Sequence, residues 1–172
     1  MRLTKLVNFI FLPIVCILLA TNANSAAIEY TQLTSTQNQP AINASNLVAF
    51  ETVDGIQNIG SALNKVVIKD SGFYFIMAVG QAGLIKSDAS GTGYVDLWLI
   101  KNGTPLPNTG TRQGVNAEMT GSIVTQAIIQ LNAGDSLSIG FSASNPSFGL
   151  LSIPATASVP TVTSFSLTIY KI

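Results

Sequence analysis

From Leu47 onward the chain never stays apolar for long. Short runs rich in Val, Ile, Phe, Tyr and Thr are cut again and again by Gly, Pro, Asn and Asp. Leu47–Val53 stops at Asp54-Gly55, and Lys65–Lys69 stops at Asp70-Ser71-Gly72. Phe73–Val79 runs into Gly80, and Tyr94–Ile100 stops at Asn102-Gly103. Ser122–Leu131 stops at Ala133-Gly134-Asp135, Ser136–Ala143 at Asn145-Pro146, and Phe148–Ile153 at Pro154. Val162–Ile172 is the last such run. Runs this short and this β-branched read as strands, and the residues between them read as turns. With one more around Ile28–Leu33, they make eight or nine strands, and no stretch after the leader has a helical period. The expected architecture is all-β: an antiparallel two-sheet jelly-roll sandwich.

Alternation assigns the faces. In Ser136–Ser144, Leu137, Ile139, Phe141 and Ala143 share one side, and Ser138, Gly140, Ser142 and Ser144 share the other. Such a strand has one face in a core and one in water. Phe73–Val79 differs. Phe73, Phe75, Met77 and Val79 lie on one side, and Tyr74, Ile76 and Ala78 on the other. A two-layer sandwich buries one face per strand, so the second apolar face calls for another cover. A further copy of the chain is the simplest one, and a loop capping a central strand is the alternative. The pattern alone does not say which side faces the core.

The first 25 residues read as a leader. Arg2 and Lys5 precede an apolar run of about 15 residues, Leu6–Ala20, and a polar stretch with Ala23 and Ser25 at the small positions before a cleavage point. The run is shorter than the ~20 residues that span a bilayer. Cleavage before Ala26 is expected, with Ala26–Ala27 nearly as good, and a secreted product follows. Residues 26–44 form a polar lead-in and 45–172 the domain. Cys16 leaves with the leader, so no disulfide can form in the mature chain. Removing Arg2 and Lys5 leaves six basic residues against eight acidic ones, a net charge of about −2. No basic patch supports nucleic-acid binding. Charged residues are 9% of the chain, against a usual ~25%, so much of the surface is neutral or covered.

Histidine is absent. That removes histidine-based nucleophilic catalysis and, with no mature cysteine, ordinary zinc sites. A carboxylate pair drawn from Asp88, Asp96 and Glu118 is the remaining route to an enzyme, and the expectation is that the chain is not one. Asn43-Ala44-Ser45 and Asn102-Gly103-Thr104 fit the glycosylation sequon, while Asn145 is barred by Pro146. Gly72 is expected to be a turn residue with positive φ, and Asp135 to bond the amides of its own turn.

Several segments resemble the C1q and tumour-necrosis-factor-like jelly rolls. Val66-Val67-Ile68-Lys69-Asp70-Ser71-Gly72-Phe73-Tyr74-Phe75-Ile76 resembles the family's apolar pair followed by Gly-apolar-Tyr. Leu47–Val53 is similar to its Phe-centred strand, and Val95–Gly103 to its Lys-Asn-Gly hairpin strand. Leu131–Leu137 is similar to its Gly-Asp turn, and Ser164–Tyr170 to its closing strand. The resemblance spans about residues 45–172, without a collagen stalk before it. Val79, Ser166 and Thr168 depart from it. It implies a homotrimeric, non-enzymatic recognition or adhesion module, with Phe73, Phe75 and Met77 toward a threefold axis and Tyr74 and Ile76 toward the core. The polar loops 82–93 and 103–116 would meet a protein or glycan ligand. Some members bind calcium through loop carboxylates, which makes Asp88 and Asp96 weak calcium candidates, although Asp96 reads first as an outward sheet position. No other cofactor is implied. A structural subunit of a surface layer, fibre or particle is the alternative function.

Overall fold

The computed structural model describes residues 30–172 apart from 43, 55–58, 63 and 87–90, with the backbone alone at 53 and 59–62. The proposed leader, Asn43 and Asp88 therefore lie outside the described residues. No helix occurs among those described, and none is long and apolar enough to cross a membrane.

Two antiparallel sheets face each other. The first holds β1 (Tyr30–Ser35), β2 (Gln39–Pro40), β4 (Thr52–Asp54), β7 (Gly72–Leu84), β11 (Gly121–Leu131), β13 (Phe148–Leu150) and β14 (Phe165–Lys171). The second holds β3 (Asn46–Leu47), β5 (Ile59–Ala62), β6 (Lys65–Ile68), β8 (Thr92–Lys101), β9 (Thr104–Pro105), β10 (Thr111–Asn116) and β12 (Ser136–Ala143). Strand β7 organises the first sheet. Its Gly72–Ala82 stretch pairs along one edge with β11, and its other edge takes β14 and then β13. In the second sheet the order is β10-β8-β12-β6-β5.

The core lies between the sheets and follows the alternation. Leu33, Tyr74, Ile76, Ala78, Leu167 and Ile169 point in from the first sheet, and Val66, Leu97, Leu99, Leu137, Ile139 and Phe141 from the second. Each large side chain so buried contributes about 1.5–3 kcal/mol relative to exposure, which is how a domain without disulfides holds together. The parity expected for β7 is the one observed: Tyr74, Ile76 and Ala78 are buried, and Phe73, Phe75, Met77 and Val79 face outward.

Three expectations need correction. Leu47–Val53 is not one strand. Asn46–Leu47 pairs with β12 in the second sheet and Thr52–Asp54 with β1 in the first, so the chain crosses between sheets at Val48–Phe50. The Gln39 amide takes the place of a strand partner there. It donates to the Ala49 carbonyl at 3.0 Å and accepts from the Ala49 N–H at 2.8 Å, while Val48 and Phe50 stay buried. Residues 103–116 are not one long loop, because Thr111–Asn116 is strand β10, paired with β8. Gly72 lies inside β7 and is not among the positive-φ residues.

The turn at 132–135 behaves as expected. Gly134 has φ +90°, and Asp135 accepts the Asn132 N–H at 2.8 Å. The same carboxylate meets Lys101 Nζ at 2.8 Å and the Asn102 side-chain amide at 2.7 Å, and so ties this turn to the β8–β9 hairpin. The Asn132 N–H, then Lys101 and Asn102, hold the Asp135 carboxyl down at about 2, against an ordinary 3.8. A lowered folded-state value means stability that is present above the ordinary value and lost as pH falls toward the folded one. Asp135→Asn is therefore expected to lower Tm at neutral pH. The gap to the parent should close as thermal melts are taken from roughly pH 5 down to pH 2.

Candidate functional site

The solvent side of the first sheet carries a row of large apolar side chains. The strand registers place Tyr30 opposite Tyr170, Tyr170 opposite Phe75, and Phe75 opposite Ile128. The row thus crosses β1, β14, β7 and β11. The Phe75 and Tyr170 rings meet at 5.0 Å between centroids. Beside the row lie Met77 and the Val79–Val124 pair, with Phe73 at the strand's start. Phe73 is 53% exposed, Val124 43% and Ile128 63%. A scatter of single exposed apolar residues is ordinary, but a contiguous patch on a sheet face marks a contact surface.

The solvent side of the second sheet is built differently. Asp96 on β8 stands directly opposite Arg112 on β10 and Ser142 on β12. Arg112 Nε donates to Asp96 Oδ1 at 2.7 Å and Nη2 to Oδ2 at 3.0 Å, a bidentate pair, and the Ser142 hydroxyl adds a contact to Oδ2 at 3.3 Å. The guanidinium also sits over the Tyr94 ring, 3.6 Å from its centroid. The bond to Asp96 raises the Arg112 pKa further above its ordinary value. Two residues along β8, Trp98 pairs with Gly140, and a Cβ at Gly140 would run into the indole. Glycine there lets the ring lie down on β12. A shallow groove of about 440 Å³ opens alongside, lined by Asp96, Trp98, Pro105, Leu106, Thr111 and Arg112.

The antiparallel pairing, the two-layer core and the closing strand define a shape that can be compared with known ones. Comparison with protein-family models gives no match, and comparison with curated protein sequences gives none. Among solved structures, the chain is similar to murine APRIL, a TNF-family jelly-roll protein. Against its structure at pH 5.0 the TM-score is 0.56 at 12% identity, over 85% of this chain and 100% of that one. Against its structure at pH 8.5 the TM-score is 0.53 at 14% identity, with the same coverage. The fold is a TNF-like jelly roll.

On this jelly roll the anticipated site residues fall into separate places. Phe73, Phe75 and Met77 share the outward face of the first sheet, together with partners the β7 pattern could not name: Tyr30, Val124, Ile128 and Tyr170. Asp96 takes the outward sheet position and is bonded to Arg112 rather than standing free beside a loop. Its proposed calcium partner, Asp88, is outside the described residues. Among the described residues no three His, Cys, Asp or Glu side chains cluster as metal ligands do. Of the two polar segments, 82–84 completes β7 and 92–93 begins β8, while Pro105, Leu106, Thr111 and Arg112 from 103–116 line the groove. The amide of Asn102, in the second sequon, is bonded to Asp135 and, through its oxygen, to the Ser136 N–H at 2.8 Å.

One buried threonine sets the shape of the groove wall. The Thr109 hydroxyl donates to the Leu106 carbonyl at 2.9 Å and accepts the Leu99 N–H at 3.1 Å. From the opposite sheet, the Thr125 hydroxyl donates to the Thr109 carbonyl at 2.6 Å. Thr109→Val keeps the volume but strands the Leu99 N–H and the Leu106 carbonyl. A loss of about 1–3 kcal/mol is expected in urea unfolding, the usual penalty for an unsatisfied buried polar group.

Proposed function

We propose that this chain is a secreted, non-enzymatic recognition module that works as a homotrimer. The outward face of the first sheet forms the contact between copies, and the segments at 82–93 and 103–116 are turned toward a protein or glycan surface. The observation that carries the reading is the apolar row Tyr30–Tyr170–Phe75–Ile128, which crosses four strands on a side the sandwich cannot bury. The resemblance to C1q and TNF-like domains, and the fold shared with murine APRIL, support a threefold axis against that face. Gln126 opposite Met77 and Gln130 opposite Phe73 set polar groups among the apolar side chains of this face. The absence of histidine and the engagement of Asp96 by Arg112 support a binding role over hydrolysis.

The leader is part of the proposal. The exported product is expected to begin at Ala26 or Ala27, which intact-mass measurement reads directly, and retention of the Leu6–Ala20 run would reject it. Light scattering on that product at micromolar concentration tests the assembly. Three copies per particle are expected. A clean monomer would remove the trimer, and filaments or lattices under the electron microscope would instead favour a structural subunit of a layer or fibre.

A further inference from the structure

We infer that the outward face of the second sheet is a binding groove for a neutral saccharide, with the Trp98 indole as its platform and the Asp96–Arg112 pair as its polar wall. The inference rests on the recognition-module reading and names the ligand class for it. The groove lies on the side of the sandwich opposite the apolar row, so an assembly that buries the row leaves all its grooves open.

The chemistry of the lining selects the ligand. Trp98, Pro105 and Leu106 offer apolar surface, and Asp96, Thr111 and Arg112 stand at its edge. A ligand that fits needs an apolar face and a polar rim, as a sugar ring has in its C–H face and its hydroxyls. The volume, about 440 Å³, is within the range of small-ligand sites and larger than one hexose requires. Charge selects further. Asp96 and Arg112 neutralise each other at 2.7 and 3.0 Å. A free anion would have to compete with Asp96 for the guanidinium, and a free cation with Arg112 for the carboxylate. The ion pair uses Nε and Nη2 of Arg112, which keeps Nη1 out of it. A carboxylate has about four acceptor sites, of which the two Arg112 bonds and the Ser142 hydroxyl use three. The far edge of the guanidinium and one acceptor site of the carboxylate therefore remain outside the ion pair. Adjacent hydroxyls, each both donor and acceptor, match that arrangement.

The wall is held before any ligand arrives. Stacking on Tyr94 fixes the guanidinium, Gly140 seats the indole on β12, and Thr109 anchors the Leu106 carbonyl. Side chains already ordered lose little freedom on binding, which favours affinity in a shallow site. Three grooves on one particle would add avidity toward a surface that displays many sugars.

Trp98 is the chain's one tryptophan, so intrinsic fluorescence reports on this groove alone. The mature protein is titrated with the methyl glycosides of glucose, galactose, mannose and N-acetylglucosamine, and with cellobiose, lactose and chitobiose. A saturable shift or quench is expected for at least one of them. Arg112→Ala, on the edge strand β10, is expected to weaken it about tenfold or more, with an unchanged far-UV spectrum. No change with any of these sugars at about 50 mM, well above a millimolar Kd, overturns the inference. So does a shift that Arg112→Ala leaves untouched. The two readings fail separately. Binding on a glycan array by trimers whose Trp98 signal is silent rejects this groove and keeps the module. An Arg112-dependent shift in a protein that runs as a monomer keeps the groove and rejects the trimer.

Discussion

Phe75→Asp is expected to abolish the trimer, giving a monomer or an aggregate at micromolar concentration, while Phe75→Leu stays trimeric. Phe75 sits at the middle of the apolar row, between Tyr170 and Ile128, and its ring touches that of Tyr170. Burying such a side chain contributes roughly 1.5–3 kcal/mol, and a threefold axis repeats the contribution in each copy. Aspartate removes it and also brings three carboxylates into a shared low-dielectric contact, where each unpaired charge is strongly destabilising. Leucine keeps most of the apolar area. Within one copy the position faces outward and is not part of the core cluster, so the monomer's far-UV spectrum should survive either change. Light scattering and circular dichroism on the parent and both variants decide it. Trimers that persist in Phe75→Asp would show that the contact lies on another surface.

The neighbouring residue is expected to behave in the opposite way. Tyr74→Ala should lower stability by about 3–5 kcal/mol, the range for large aromatic truncations in a packed core. Against a total of about 5–15 kcal/mol, that is enough to leave the domain marginal. Tyr74 is 2% exposed and belongs to the central cluster. Its hydroxyl donates to the Asp70 carbonyl at 2.6 Å, where the chain enters β7. Tyr74→Phe, which removes the hydroxyl and keeps the ring, should lose about 0.5–1.5 kcal/mol. Urea unfolding of both variants measures the two contributions, and the phenylalanine variant remains readable where the alanine variant does not fold. A Tyr74→Ala protein within 1 kcal/mol of the parent would mean that the parity of β7 is the reverse of that described.

The strands that could be read from sequence are those whose neighbours are regular. β7, β8, β11, β12 and β14 each alternate apolar with small or polar residues or run apolar throughout, because each has a partner sheet over one face. β10 was hidden because it is an edge strand. In Thr111-Arg112-Gln113-Gly114-Val115-Asn116 only Val115 is buried, so the segment carries too little apolar character to stand out from a loop. The crossing at Val48–Phe50 was hidden for another reason. Those residues alternate like a strand, and what separates them from one is the Gln39 side chain bonded to Ala49 across ten positions of sequence.

The candidate sites divide along the same line. Two apolar faces on one strand are a property of consecutive residues, so the shared apolar side of Phe73, Phe75 and Met77 could be read from β7 alone, as could the Gly134-Asp135 turn. The sign of that strand could not. Whether Tyr74 or Phe75 points inward depends on which side the second sheet covers, a matter of long-range packing. The aromatic row and the groove depend wholly on register. Tyr30 meets Tyr170, Arg112 meets Asp96, and Trp98 meets Gly140 only after hydrogen-bonded ladders align strands that are distant in the chain. Local alternation chooses the faces, because successive side chains on a strand must point opposite ways. Pairing between strands chooses the neighbours on each face, and so only the tertiary structure could place an indole beside a guanidinium.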